Sequence, residues 1–127
     1  PVDMEARRGT KPLADMEAYA QSKLAITIWS RELARSLTDG PMVMSVNPGS
    51  LLATKMVKEG FGVAGSDLMI GADLLRRLAV EEEFATAAGK YYDNDARQFG
   101  KPHPAALDEG HASDVMAAIE AALSDWG

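Results

Sequence analysis

Apolar residues recur at helical spacing through residues 15–37: Leu24 and Ile28 lie one turn apart, and Ile26, Trp29, Leu33 and Leu37 widen the stripe into an arc. So broad an arc predicts a helix packed on more than one side. Asp15 is placed to cap its start, and Thr38-Asp39-Gly40-Pro41 ends it, because glycine accepts the left-handed position after a helix and proline cannot continue one. The pattern then changes. Met42-Val43-Met44-Ser45-Val46 is a short, almost wholly apolar run between turn signals, which suits a buried parallel strand, and Asn47-Pro48-Gly49-Ser50 stops it. Residues 51–66 contain Gly60, Gly62 and Gly65 without a firm period, predicting a long loop of the kind that covers a substrate. Ser66 or Asp67 can cap a helix running to about residue 80, with Leu68, Met69, Ala72, Leu75 and Leu78 at helical spacing. Glu81-Glu82-Glu83 reads as its solvated end.

Residues 87–92 predict a second short strand, closed by Asp93-Asn94-Asp95, with one of Tyr91 and Tyr92 in the core and the other outside it. Gly100, Pro102, Pro104 and Gly110 predict irregular structure over 95–110, and Val115, Ile119 and Leu123 form one stripe of a last helix over 112–123. The first 14 residues mix charge with Gly9 and Pro12 and read as a connecting segment. Strand, helix, strand in this order predicts a right-handed parallel crossover of the α/β class, with two short parallel strands and about three helices.

Composition narrows the setting. A chain of 127 residues is the size of one ordinary domain. Its apolar share of 46% and charged share of 25% are those of a soluble protein. The excess of acidic residues, 19 against 13 basic, argues against nucleic acid as a partner. Without cysteine there is neither a disulfide framework nor a thiolate metal site, which fits the cytoplasm. No apolar run is long enough to cross a bilayer, and no signal-peptide pattern opens the chain, so no membrane partner is expected. His103 and His111 have no carboxylate at ligand spacing and read as surface residues, so no metal is expected.

The candidate chemistry sits on the first helix. Tyr19 and Lys23 are four residues apart and share a face. A free phenol, with a pKa of about 10, is a poor acid or base near neutrality, but a neighbouring ammonium favours the phenolate. The pair is a candidate acid/base device.

Tyr19-Ala-Gln-Ser22-Lys23 within an alanine-rich amphipathic helix, followed by an apolar strand that ends in Asn47-Pro48-Gly49 with a threonine shortly after, resembles the C-terminal half of a short-chain dehydrogenase/reductase of the single-domain type. The resemblance continues through the loop, the next helix and the Gly89-Lys-Tyr-Tyr strand, and so covers nearly the whole chain. It implies the C-terminal part of a doubly wound, Rossmann-like parallel sheet and hydride transfer between NAD(P)H and a carbonyl or secondary alcohol. Tyr19 matches the acid/base, and Lys23 matches its activator, which also binds the nicotinamide ribose. Pro48 and Gly49 match the turn that approaches the nicotinamide, with Leu51 and Thr54 as contacts to its carboxamide side; Met56 and Phe61 line the substrate pocket. Ser22 supports helix packing and is not the catalytic serine. The family's threonine follows its proline by five positions, whereas Thr54 follows Pro48 by six.

Residues 1–18 hold no counterpart of the family's glycine-rich pyrophosphate turn, its Asn-Asn-Ala-Gly-like segment or its catalytic serine. The chain thus reads as the rear part of an enzyme whose cofactor-binding half is absent, with weak or no NAD or NADP binding by itself. A strand edge and a helix flank deprived of neighbours predict self-association into a homo-oligomer. The alternative is a catalytically inert α/β fragment that only self-associates. A nucleotide-sugar epimerase or dehydratase, which also uses Tyr-x-x-x-Lys, fits less well with Pro48-Gly49 and the short tail.

Overall fold

A computed structural model describes residues 1–3 and 14–126, and the expected connecting segment falls mainly outside this set. Helix α1 spans Asp15–Ser36, strand β1 Ser45–Asn47, helix α2 Lys55–Gly60 and helix α3 Leu68–Val80. A 3-10 turn over Glu82–Phe84 leads to β2, Tyr91–Asp93, and β3, Gln98–Gly100; a second turn over Pro104–Ala106 precedes helix α4, Glu109–Ser124. The architecture is mixed α/β.

The sheet has the order β1-β2-β3. β1 and β2 run parallel in the register Ser45↔Tyr91, Val46↔Tyr92, Asn47↔Asp93, as the strand-helix-strand order requires. β3 is antiparallel to β2 and occupies part of the stretch expected to be irregular. Two parallel strands and about three helices therefore become three strands and four helices among the described residues. β3 escapes a reading by pattern because its three residues, Gln98-Phe99-Gly100, are too few to show alternation and include a glycine.

Successive strand residues point to opposite faces. Tyr92 enters a core with Leu74, Phe84 and Ala87 on the α3 side, with Met44, Val46 and Leu78 packed around it. Three aromatic rings meet there edge to face: Phe84 and Tyr92 have centroids 5.0 Å apart, and Tyr92 and Phe99 5.3 Å. Tyr91 takes the other face and is only half-buried, so the expected division of the two tyrosines holds.

The second core lies between α1 and α4, where Ala25 and Ile28 meet Ala106, Ala112 and Val115, with Val2 closing the cluster. His111 is half-buried and accepts a hydrogen bond at its Nε2 from the Val2 amide at 3.0 Å. It is a structural tie in place of the expected surface residue. His103 is exposed and caps the second 3-10 turn by accepting from the Ala105 amide.

Several local expectations change. Asp15 is the first helical residue of α1, not its cap; Ala14 holds that position without a side-chain bond, and Asp15 and Glu17 instead place negative charge in the first turn, where the helix dipole favours it. α1 also buries less than its apolar arc suggests: Ala25, Ile28 and Ser30 are buried, but Ile26 is 57% exposed. Among the described residues, α1 has α4 and the edge strand β1 beside it and no second sheet neighbour. Asp67 does cap α3, accepting from the Met69 amide, and α4 starts earlier than expected because Asp108 caps it through the His111 amide. The glutamate run forms the 3-10 turn, with Glu81 and Glu83 both paired to Arg77.

Candidate functional site

The carboxyl end of β1 opens into a cleft of about 830 Å³ walled by α1, the turn after β1 and the loop containing α2. Tyr19, Lys23, Pro48, Gly49, Leu51 and Thr54 all line it, as do Met56 and Phe61. The tertiary fold thus gathers every candidate residue around one concavity, although they come from three separate stretches of chain.

Helix periodicity puts Tyr19 and Lys23 on one face, and the Lys23 Nζ lies 5.2 Å from the Tyr19 ring centroid, within cation–π range. Tyr19 is 39% exposed, and no described residue hydrogen-bonds its hydroxyl or the Lys23 ammonium, so both groups are open to a ligand. Ser22, next to them, is exposed and turns its hydroxyl back to the Tyr19 carbonyl at 2.7 Å. It satisfies its own helix and is not packed against any other described element.

The turn after β1 is held by a side-chain clasp that the sequence reading overlooked. Asn47 donates from Nδ2 to Asp93 Oδ1 at 3.1 Å and Asp95 Oδ2 at 2.9 Å, and its Oδ1 accepts from the Gly49 amide at 3.1 Å. Asp95 accepts in addition from the Ser50 amide at 2.9 Å and from the Ser50 hydroxyl. Buried Asn94 donates to the Pro48 carbonyl at 2.9 Å and to the Ile70 carbonyl at 3.2 Å, tying the turn to α3. These hydrogen bonds, those from Ser50 foremost, hold the Asp95 carboxyl below the usual carboxylate range. Burial pushes the neighbouring Tyr91 phenol up, and the Asp93 and Asp95 carboxylates add to that shift. The available signal was the two Asn/Asp-rich ends of adjacent parallel strands, which must lie side by side once the strands pair.

Gly49 has φ +140°, and a Cβ there would lie 3.0 Å from Leu52 Cδ2, so backbone conformation and packing against Leu52 both require glycine at this turn. Leu51 adopts a left-handed φ of 51°, unusual for a branched residue and a local strain beside the site. Residues 51–66 are more ordered than a plain loop. Their base is closed by the Ser66 amide on the Leu51 carbonyl at 2.7 Å and the Ala53 amide on the Ser66 carbonyl at 2.8 Å. Within the loop, Thr54 caps α2 by accepting from the Val57 amide at 3.3 Å. An apolar wall with a few convergent polar groups is the usual makeup of a small-molecule site.

Comparison with known proteins gives one distant relative, human retinol dehydrogenase 13, 33% identical over 117 residues that cover 79% of this chain and 34% of the relative. The chain thus spans about a third of that protein's length. No family model matches, and no solved structure matches. Among the described residues, no helix is long and apolar enough to cross a membrane, and no cluster of His, Asp or Glu is arranged to hold a metal.

Proposed function

We propose that the chain is the C-terminal portion of a short-chain dehydrogenase/reductase whose parent transfers a hydride between NAD(P)H and a carbonyl or alcohol substrate. The observation that carries this reading is the convergence of Tyr19, Lys23 and the Pro48-Gly49 turn on one cleft. Similarity to a protein named as a retinol dehydrogenase supports the same reaction class.

The residues that would hold a nicotinamide cofactor are the Pro48-Gly49 turn, which lines the cleft, and Lys23, whose ammonium no described residue pairs and which would meet the ribose hydroxyls. When bound, that cofactor supplies or accepts the hydride. Tyr19 delivers a proton from its hydroxyl to the substrate oxygen, or accepts one in the reverse direction. Lys23 sits beside the Tyr19 ring and would hold the cofactor sugar, while Leu51 and Thr54 would contact the carboxamide side. Met56 and Phe61 form the apolar side of the cleft and exclude water from the substrate. In the intact enzyme, Tyr19→Phe is expected to lower kcat by about 10²–10⁴-fold while sparing cofactor affinity, and Lys23→Met to impair both. Full turnover by Tyr19→Phe, measured by NADPH absorbance with a carbonyl substrate, would sink the assignment.

A second reading, an inert fragment that self-associates, is favoured by the outer edge of β1, which is unpaired among the described residues, and by exposed Ile26 and Trp29 on α1. Sedimentation of the chain at micromolar concentration separates the outcomes, since a compact monomer excludes this reading.

A further inference from the structure

The opposite end of the sheet carries a second concavity, of about 580 Å³, which the proposed hydride transfer does not use. Arg31 reaches it from α1, Lys90 precedes β2, and Lys101 follows β3; Tyr91, Phe99 and Leu107 supply apolar walls. No described carboxylate lines it, in a chain of net charge −6. A local excess of cations therefore runs against the overall balance.

None of the three cations forms a salt bridge with a described carboxylate. Lys90 lies with its Nζ 5.3 Å from the Phe99 ring centroid. Arg31 makes one long contact, from Nη1 to the Gly89 carbonyl at 3.5 Å, while its Nε is buried without a hydrogen-bond partner among the described residues. Native structures leave few buried donors unpaired, and a charged one is the more unfavourable. The Arg31 guanidinium and two ammonium groups without a described carboxylate partner thus line one concavity, an arrangement that an anion would neutralise.

We propose that this concavity binds the phosphate group of a small molecule. A guanidinium offers a planar donor fork and two ammonium groups add point charges, a set matched to a dianionic tetrahedral oxyanion. The Tyr91, Phe99 and Leu107 walls accommodate the rest of the ligand. The position is also separate from the cleft: ligands of α/β sheets ordinarily bind beyond the carboxyl ends of the parallel strands, whereas Lys90 marks the amino end of β2. Tyr91 borders both sites.

The test is a titration of the full chain with inorganic phosphate at constant pH and ionic strength, chloride making up the balance, followed by nitrogen–proton NMR of the arginine Nε–H groups. Arg31→Lys identifies the Arg31 resonance. The expected result is a saturable shift of that resonance at millimolar phosphate, with binding weakened about tenfold or more in a Lys90→Met/Lys101→Met double variant. Both lysines are exposed, so their replacement spares the fold. No saturable shift, an equal shift with chloride alone, or an unchanged affinity in the double variant would overturn the proposal. Succinate binding as tightly as phosphate would overturn the phosphate class.

Discussion

The two ends of the three-stranded sheet share one backbone ladder and differ in how their side-chain polar groups are satisfied. At the carboxyl ends of β1 and β2, short Asn, Asp and Ser side chains bond one another and the adjacent backbone, leaving the Pro48-Gly49 turn clasped from three directions. At the amino end, long side chains that only donate surround a concavity, and Arg31 Nε has no acceptor among the described residues. A clasp of short, self-satisfied groups holds a shape by itself. A set of donors without protein acceptors does not.

The strongest perturbation should strike the core on the α3 side of the sheet, on which the strands of both ends rest. Tyr92 is fully buried there, packed on Phe84 and Phe99. Tyr92→Ala should destabilise the chain by about 3–5 kcal/mol, read from urea unfolding midpoints; a loss under about 1 kcal/mol would show that this cluster is not a core. A more local break targets the clasp. Asn94 is 7% exposed and bonds two carbonyls, and Asn94→Ala should lose about 1–3 kcal/mol. It should also shift the Gly49 and Ser50 amide resonances while leaving Arg31 Nε–H unmoved; equal movement at both ends would mean that they are not independent.

The mildest test uses pH. The Asp95 carboxylate accepts the Ser50 bonds, so its folded-state pKa is depressed, and its contribution is present above the ordinary carboxylate value of about 4 and is lost as pH falls through the lowered one. The Ser50 amide shift should therefore be flat above that value and titrate below it. Asp95→Asn should abolish the titration with little change in stability at neutral pH, because the residue is exposed. A Ser50 titration that persists in Asp95→Asn would assign it to another group.

The long elements were legible where pattern and caps agreed. α1 and α3 lie close to where periodicity set them, and Asp67 caps α3 because a short carboxylate before an apolar helix satisfies a free amide. The strands were displaced by a few residues, to Ser45–Asn47 and Tyr91–Asp93, because apolarity marks burial while pairing depends on which backbone groups meet. The clasp escaped notice because Asn47 and Asp95 are 48 positions apart, and nothing in either segment names the other.

Read alone, the chain already determined the helix that aligns Tyr19 with Lys23, since a 3.6-residue period is a local property of the backbone. It also marked Pro48-Gly49 as an abrupt strand end, because those residues restrict or free φ by themselves. Only the tertiary structure decided that these stretches face one cleft, that β3 joins the sheet, and that Arg31, Lys90 and Lys101 converge at its other end. Those are distances between segments remote in sequence, set by the parallel register of β1 on β2 and the packing of α1 beside them.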